Sequence, residues 1–433
     1  MIDRAVDYAT SCPRGWSCAT LSELFVPVPK AERQVEVQDG TTYQLLTVRL
    51  YARGVVARSQ VLGEHVGTKR LYRTEQNDFI FSKIDARNGA WGFVPKDLSG
   101  GVVSNDFPIL RLSGNADKDF LAFCLSRPAM WVPLRDIAVG TTNRRRIQIP
   151  ELLRVRVLLP PLPEQRAIAR VLSTVQRARE ATEAVIAATR ELKRSLMRHL
   201  FTYGPVPVQE AGQVPLKETE IGPVPEHWRT ATLGHLACIG NGSTPKRSNP
   251  LYWDGGTLPW LTSGKVHDVI IQQADEFVTP LAQRECHLPM VKSGSLLVAI
   301  TGQGKTLGNV AMVTFDTCIS QHLAYVQFKD TSVDAEFMLR FLQSRYLHFR
   351  QVASSGGTTK GALTCAFLRQ YVVPLPPVNE QRHIASILRC LDTKLRAEES
   401  RKQALDALFR SLLHHLMTGR IRVDPEQVLA GEP

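Results

Sequence analysis

The sequence predicts an α+β protein with two mixed α/β domains, two long antiparallel coiled-coil helices and an internal pseudo-two-fold repeat. Three observations predict this fold class. The motif LPPLPEQR at 159–166 returns as LPPVNEQR at 375–382. Each copy precedes about 40 residues without glycine or proline. The stretches before the two motifs contain short β-type runs broken by turn residues.

The two motifs open a longer repeat. At an offset of 216 residues, the segments 159–204 and 375–420 align without a gap and are identical at roughly 18 of 46 positions. A fainter similarity joins the GTT tripeptides at 140–142 and 357–359, and the hexapeptides WSCATL at 16–21 and WRTATL at 228–233. Self-similarity of this kind indicates a tandem duplication of a unit of about 215 residues.

Both repeated segments are predicted to form long helices. Proline is accepted at a helix start and disfavoured inside, so Pro163 and Pro377 mark the starts. The second copy has apolar residues in a four-three alternation, interrupted at Glu398 and Lys402, at Ile384, Leu388, Leu391, Leu395, Leu405, Phe409, Leu412 and Leu416. The first copy instead has small residues, at Ala178, Ala181, Ala184, Ala187 and Ala188, which are expected to let a second helix approach closely.

Helices of roughly 60 Å are too long for one domain core. We therefore expect them to pack on each other as an antiparallel pair. The alternative is a pair of unrelated amphipathic helices.

The divergent segments are predicted to be mixed α/β domains. Their β-rich runs lie at 79–84, 102–103, 109–112, 295–301, 310–313 and 324–328. Each segment also has one helix-like stretch, at 119–126 and 335–344. The predicted organisation is a first domain at 1–157, a first long helix at 158–204, a second domain at 205–372 with a Pro/Gly-rich linker at 202–225, and a second long helix with a tail at 373–433.

The composition is that of a globular protein, with 43% hydrophobic and 22% charged residues. It excludes a wholly disordered chain, a collagen and an end-to-end coiled coil. No run of about 18 apolar residues occurs, and the first residues contain no apolar signal region, so a cytoplasmic location is expected. The eight cysteines include no CxxC pair, which favours reduced thiols over disulfides or a zinc site.

The net charge of +12 is compatible with a polyanionic partner, but its distribution is uneven. Residues 1–157 carry 22 basic and 16 acidic groups, which gives +6, and residues 158–204 carry 8 and 4, which gives +4. The segments 205–372 and 373–433 carry +1 each. A nucleic-acid-binding second domain would therefore depend on a few well-placed contacts.

Together these features resemble the specificity (S) subunit of a type I restriction-modification system. The doubled LPP(L/V)xEQR helix motif carries the resemblance, which extends from about Trp16 to Arg422. Local support comes from IGPVPEHW at 221–228, which opens the second half, and from GSTP at 242–245, YW at 252–253 and LPWL at 258–261.

The resemblance implies that each divergent domain is a target recognition domain reading one half of a bipartite duplex DNA site. The two helices would set the separation of the half-sites and dock two methyltransferase (modification) subunits. The chain itself would be non-catalytic and hold no cofactor or metal. S-adenosylmethionine would bind to the methyltransferase subunits, and ATP and Mg²⁺ to restriction motor-nuclease subunits. The alternative function is a coiled-coil interaction scaffold that does not bind DNA.

Three polar and basic clusters of the first domain are candidate DNA contacts. They comprise Lys69 and Arg70; Lys83, Arg87 and Asn88; and Thr142, Arg144, Arg145 and Arg146. An arginine and an asparagine in a polar turn suit guanine and adenine edges, and a triple arginine suits phosphates. The alternative for each cluster is a solvated surface.

The second domain has corresponding candidates in polar, glycine-containing loops. They are Ser243, Thr244, Lys246, Arg247, Lys265, Gln303, Lys305, Thr358, Thr359 and Lys360. Trp228, Trp253 and Trp260 could stack on bases, although core packing is favoured for them. The EQR triplets fall in the first helical turn, where the glutamate is favourable at the positive end of the helix dipole.

Three enzymatic functions are disfavoured by residue spacing. The stretch GQGKT at 302–306 lacks the first P-loop glycine, because Ala299 occupies that position. The Pro-Pro pairs belong to LPPL and LPPV rather than to an amino-methyltransferase motif. The triplet ELK at 191–193 resembles a nuclease fragment, but no strand aspartate precedes it.

Overall fold

The computed structural model describes residues 12–68, 70–113, 116–138, 145–302, 304–355 and 362–430. The chain forms two compact units. The first comprises Met1–Glu183 and Ser400–Pro433, and the second comprises Ala184–Glu399. Each unit therefore contains part of both long helices.

The described part of the first unit contains short strands and short helices that precede a long helix. The strands are β1 (Ser17–Thr20), β2 (Phe25–Pro27), β3 (Gln34–Glu36), β4 (Thr42–Val48), β5 (Val55–Leu62), β6 (Arg70–Arg73), β7 (Phe79–Phe81), β8 (Trp91–Phe93), β9 (Val102–Val103), β10 (Ile109–Leu112) and β11 (Arg156–Leu159). The helices are α1 (Leu21–Leu24), α2 (Lys30–Arg33), α3 (Lys118–Leu125), α4 (Leu134–Ile137), α5 (Ile149–Leu153) and the start of α6 (Leu162–Tyr203).

Two larger sheets form the body of the first unit. One has the strand order β2-β10-β7-β8, and the other has the order β3-β6-β9-β4-β5. The main core lies between the first sheet, α3 and the start of α6, with Phe25, Phe79 and Phe120 fully buried. Strand β1 pairs antiparallel with β11, so the hexapeptide at 16–21 lies beside the residues that lead into α6.

The described part of the second unit follows a related plan. Its strands are β12 (Leu216–Lys217), β13 (Val224–Pro225), β14 (Arg229–Thr232), β15 (Ala237–Asn241), β16 (Leu258–Leu261), β17 (Ile270–Ile271), β18 (Glu276–Val278), β19 (Leu296–Ala299), β20 (Val310–Val313), β21 (Cys318–Ile319), β22 (Leu323–Phe328) and β23 (Val372–Leu375). Its helices are α7 (Leu233–Leu236), α8 (Pro280–Glu285), α9 (Ala335–Ser344), α10 (Tyr346–Ser355), α11 (Cys365–Gln370) and the start of α12 (Val378–Met417); α13 (Pro425–Leu429) belongs to the first unit.

A five-stranded sheet with the order β15-β22-β19-β20-β17 forms the centre of the second unit, beside a three-stranded sheet with the order β18-β16-β21. Apolar side chains on both faces bury β19 completely, as expected for a central strand. Strand β14 pairs antiparallel with β23, in the same way as β1 pairs with β11. The second copy of the repeated hexapeptide therefore also lies beside the entry to a long helix.

The two long helices have 42 and 40 residues and run antiparallel within each unit. In the first unit, ion pairs join Arg179 to Asp406 at 2.6 Å and Glu183 to Lys402 at 2.9 Å. In the second unit, Arg190 pairs with Glu399 at 2.6 Å, and Lys193 pairs with Asp392. The number of the partner falls as the residue number on α6 rises, so the predicted antiparallel pairing is confirmed.

The expected packing is wrong for four of the five α6 alanines, whereas Ala178 is half-buried. Ala181, Ala184, Ala187 and Ala188 are exposed, whereas Thr182, Ile186 and Thr189 are buried. The buried positions follow each other at spacings of four and three residues, as in a coiled-coil seam. The four exposed alanines lie outside that seam and belong to a second, solvent-facing stripe on the helix.

The ends of the long helices complete the cores of the units. Leu416 and Met417, at the end of α12, belong to the core of the first unit. Leu200 and Phe201, near the end of α6, belong to the core of the second unit. The α+β fold class, its duplicated modules and its long helices are as predicted from the sequence.

Candidate nucleic-acid interface

The Glu of each EQR motif connects a long helix to the tryptophan that directly precedes β1 or β14. Glu164 is buried and accepts a hydrogen bond from Trp16 Nε1 at 3.2 Å. It also forms a bidentate ion pair with Arg422, at 2.6 and 2.7 Å. In the second unit, Glu380 accepts from Trp228 Nε1 at 2.9 Å and contacts His227 Nε2 at 2.9 Å.

The Gln of each motif connects the same long helix to α3 in the first unit and to α9 in the second. Gln165 Oε1 accepts from the backbone N–H of Asp117, the N-cap of α3, at 2.8 Å. Gln381 Oε1 accepts from the N–H of Asp334, the N-cap of α9, also at 2.8 Å. Each amide also donates to a carbonyl in its own Pro-Pro pair. The Glu and Gln of each triplet thus make structural contacts, and the Arg remains exposed in both copies.

In the second unit, the strand register gathers several predicted loops at one end of the five-stranded sheet. Asn241 at the end of β15 pairs with Ala324 near the start of β22, and Ala299 at the end of β19 pairs with Leu323. The segments 242–247, 320–322, 300–302 and 304–309 consequently leave the sheet at the same edge. We call these four segments the loop edge. They bring Ser243, Thr244, Lys246, Arg247 and Lys305 to one end of the sheet.

The 242–247 segment is held by close backbone contacts and by two tryptophans. A Cβ on Gly242 would overlap the carbonyl oxygen of Ile319, so only glycine fits there. Trp260 Nε1 donates to the Ser243 carbonyl at 3.2 Å, and Trp253 Nε1 donates to the Lys246 carbonyl at 3.2 Å. These tryptophans therefore support the loop.

The Arg247 guanidinium lies over the ring of Trp253, 3.9 Å from its centroid, and pairs with Glu276 at 2.6 Å. Trp260 and Trp228 are buried, as the core interpretation predicts, and Trp253 is half-buried. Lys246 remains exposed beside this stacked pair.

The segment around Lys305 is braced by α10. Tyr346 Oη donates to the Lys305 carbonyl at 3.0 Å, and Arg350 donates to the carbonyl of Gly304. His267 Nε2 lies 3.1 Å from Thr306 Oγ1. The Lys305 side chain is left exposed on a fixed backbone.

Lys265 has a different environment from the other candidates of the second unit. Its Nζ lies 3.0 Å from Asp275 and 3.2 Å from Asp268. The hydrogen bonds to these carboxylates raise the pKa of Lys265. A phosphate would have to compete with two carboxylates there. The DNA contact predicted for Lys265 stays a prediction.

In the first unit, Lys83 lines a cavity of about 190 Å³. Its walls include Tyr72, Phe107 and Ile149. Lys83 Nζ donates to the Asn105 carbonyl at 3.1 Å, and burial together with the charge of Lys30 lowers the pKa of Lys83. Arg146 pairs with Asp106 at 3.2 Å.

The other described candidates of the first unit lie on different elements. Arg87 and Asn88 form a 3₁₀ turn, and Arg135 donates to the Arg87 carbonyl at 3.3 Å and to Asn88 Oδ1 at 3.4 Å. Arg70 is exposed on β6, and Arg145 is exposed next to Arg146. The candidates Lys69, Thr142, Arg144, Gln303, Thr358, Thr359 and Lys360 lie outside the described residues.

Comparison with known proteins decides the family. The family model for the type I restriction modification DNA specificity domain matches residues 13–188 and 225–407. The chain belongs to this family. The predicted resemblance is confirmed, and the two matched ranges correspond to two recognition domains.

Individual relatives of this specificity subunit are distant. The putative type I restriction enzyme MjaX specificity subunit of Methanocaldococcus jannaschii is 27% identical over 358 residues, which cover 81% of this chain and 80% of that protein. The S subunit of the type I restriction-modification system from M. genitalium has a crystal structure with a TM-score of 0.60 at 17% identity, covering 94% of this chain and 97% of that one.

A chain from a structural study of complex assembly and conformational transition of the type I R-M system has a TM-score of 0.53 at 20% identity. It covers 95% of this chain and 100% of that chain. At such low identities, the two structural likenesses support the fold alone. No helix in the described ranges of the specificity subunit is long and apolar enough to cross a membrane.

The structure also adds residues to the loop edge that the sequence analysis missed. Gln321 and His322 form an exposed turn between β21 and β22. A polar dipeptide between two apolar β-type runs could have indicated them. Tyr346 and Arg350 could not be identified from the sequence, because only the folded chain brings α10 against the Lys305 segment.

Proposed function

We propose that the specificity subunit reads a bipartite duplex site, with one half-site bound by each recognition domain. The observation that carries this proposal is the duplicated anchor: Trp16 with Glu164, and Trp228 with Glu380, attach a divergent domain to a long helix through equivalent contacts. A duplicated recognition domain suits the pseudo-symmetry of a DNA duplex, because the two domains can bind the two half-sites in equivalent orientations. Divergence between the copies then allows the two half-sites to differ.

Within the second domain, the loop edge is the proposed DNA-binding surface. Lys246 and Lys305 are exposed and have no carboxylate partner among the described residues, so they suit phosphates. In the first domain, the proposed contacts are Lys83, Arg145 and Arg146. Arg145 is exposed and unpaired within the described residues, which suits a phosphate contact.

The proposed role of α6 and α12 is to set the gap between the half-sites. Each helix is continuous, with one part in the first unit and the other in the second. The ion pairs along both segments resist sliding of one helix past the other. Gap length would thereby become part of the recognised sequence.

We also propose that the helices dock two methyltransferase subunits through two equivalent stripes. In the second unit, the exposed residues Val185, Ala188, Leu192 and Ser195 follow a three-four-three spacing on α6. In the first unit, Arg401, Ala404, Leu408 and Ser411 follow the same spacing on α12. Three of the four positions are identical between the stripes. This spacing is the pattern that a partner helix packs against.

The exposure of the stripe leucines supports docking of a partner. Leu192 is 53% exposed and Leu408 is 46% exposed, and these two leucines occupy corresponding positions of the repeat. Two matching stripes suit two copies of one partner. Arg166 and Arg382 are also exposed at corresponding positions and make no ion pair within the described residues, so they are candidate contacts to acidic partner groups.

Co-purification tests the docking proposal. Leu192→Arg should remove one of two methyltransferase subunits, and the double variant with Leu408→Arg should remove both. Leu347→Arg is the matched control, because Leu347 is 77% exposed on α10. Full retention of both partner subunits by the double variant would refute the docking surface.

The chain itself is proposed to be non-catalytic. S-adenosylmethionine would be supplied by the methyltransferase subunits, and ATP and Mg²⁺ by restriction motor-nuclease subunits. The assembled complex should methylate adenines within a motif that has two defined parts and an undefined gap. A single contiguous motif would contradict bipartite reading, and binding to proteins but never to DNA would favour the scaffold alternative.

A further inference from the structure

The turn 320–322 lies in the middle of the loop edge. It precedes β22, the strand that is flanked by β15 on one side and β19 on the other. The 242–247 segment follows β15, and the segment that contains Thr301 follows β19. Gln321 and His322 are therefore placed between the two loops that carry the proposed phosphate contacts, and both side chains are exposed.

A chain of side-chain hydrogen bonds crosses this edge. Thr244 Oγ1 donates to Gln321 Oε1. Gln321 Nε2 lies 3.2 Å from His322 Nε2, and His322 Nδ1 lies 2.5 Å from Thr301 Oγ1. The two threonines thus fix the orientation of the amide and the imidazole before any ligand is bound.

The backbone of the turn is anchored without these side chains. The Ser320 N–H donates to the Leu261 carbonyl at 2.9 Å, and the Leu323 N–H donates to the Ser320 carbonyl at 3.1 Å. Among the described residues, the side-chain hydrogen bonds of Gln321 and His322 go only to each other and to the two threonines. The two side chains are therefore not needed to hold the turn in place.

The chemistry of the pair suits the edges of bases. Amide side chains form bidentate hydrogen bonds with adenine. Thr301 holds His322 Nδ1, and His322 Nε2 can bond to a base edge in exchange for its 3.2 Å contact with Gln321 Nε2. Lys246 and Lys305, on the flanking loops, carry the charges that suit phosphates. Such an arrangement places an amide and an imidazole between two lysines that suit phosphates.

We infer that Gln321 and His322 determine the sequence specificity of the second recognition domain, with Thr244 and Thr301 as positioning residues. This inference rests on the proposed function, because it needs the loop edge to face DNA. It adds the residues that read bases in one half-site.

The test uses the assembled methyltransferase complex and a duplex library randomised in both half-sites. Gln321→Ala and His322→Ala should each reduce discrimination by roughly 5- to 150-fold at one or two positions, as expected for loss of a base contact. These positions should fall in one half-site only. Thr301→Val, which removes the hydroxyl contact, should relax the same position as His322→Ala but to a smaller extent.

Gln273→Ala is the matched control, because Gln273 is an exposed glutamine that follows β17, at the ends of the strands opposite to the loop edge. It should leave the preference unchanged. Unaltered discrimination by both Gln321→Ala and His322→Ala would overturn the inference, as would a loss of affinity that is equal for all sequences. A wild-type complex with no bipartite preference would instead refute the proposed function itself.

Discussion

Removal of the Glu164 carboxylate is expected to destabilise the first unit strongly. Glu164→Ala eliminates the hydrogen bond from Trp16 Nε1 and both hydrogen bonds from Arg422. Trp16 is buried, so its N–H loses a partner that water cannot easily replace. Arg422 remains 46% exposed and regains hydration.

The expected decrease in the free energy of unfolding has two unequal contributions, one from the Trp16 N–H and one from the ion pair with Arg422. An orphaned buried donor costs about 1–3 kcal/mol. The half-exposed ion pair adds about 1 kcal/mol, because solvent screens it. The free energy of unfolding of the first unit should therefore fall by about 2–4 kcal/mol. For a unit of this size, that corresponds to a decrease in melting temperature of roughly 4–16 °C.

Urea unfolding and calorimetry of the full chain measure this effect. Trp16→Phe supplies a double-mutant cycle, because it removes the buried donor and retains an aromatic ring in the core. In the Trp16→Phe background, the cost of Glu164→Ala should decrease by about 1 kcal/mol or more. A cost below about 1 kcal/mol for Glu164→Ala alone, or additive effects in the cycle, would refute the reasoning.

Three further predictions concern the recognition surfaces. Gly242→Ala should force the loop away from Ile319, lower the free energy of unfolding by about 1–3 kcal/mol and weaken DNA sequence discrimination in one half-site. Gly40→Ala is the control, because a Cβ there meets no atom within 4 Å, and it should leave this discrimination unchanged in the same assay. The lowered pKa of Lys83 means that the folded state disfavours its charge, so Lys83→Met should be more stable than wild type at pH 7. Urea titrations should show that this gain in stability shrinks as the pH rises toward about 10, because the lysine then loses its charge in both states. Arg145→Ala should weaken binding to all duplexes alike and reduce the slope of log affinity against log salt by about one, and an unchanged slope would remove Arg145 from the phosphate contacts.

The long helices could be predicted from the sequence because their signals are local. The absence of glycine and proline, the Pro-Pro starts and the four-three spacing each depend on neighbouring residues. The repeat then predicted the pairing partner. The exact seam was not predictable, since alanine fits both a close helix contact and a solvent-facing surface. Ala188 is exposed, whereas the neighbouring Thr189 is buried.

The recognition sheets were predicted less completely. The hydrophobic runs that became β7, β10, β19 and β20 were found, whereas β4 and β5 were missed. These two strands pair across seven residue positions and one irregularity, and β5 carries polar residues on its exposed side. A strand with one solvated face has a weak apolar signal, and its partner is set by tertiary structure.

The sequence indicated which kinds of residue form the candidate site but not how these residues are arranged in space. The sequence identified Thr244, Arg247 and Lys305 from polar, glycine-containing loops. It could not place Gln321 between them, because the strand order of the five-stranded sheet brings together residues that are about 20 to 80 positions apart. It also could not show that the charge of Lys265 is balanced by two aspartates.

Affinity as a function of gap length tests the central claim most directly. The measurement compares duplexes that carry both half-sites of the methylated motif, with the gap lengthened or shortened by one or two base pairs. Each added base pair moves and rotates one half-site relative to the other by about one tenth of a helical turn. If α6 and α12 set the spacing, a change of two base pairs should weaken binding as much as scrambling one half-site does. Equal affinity across the whole series would contradict the account.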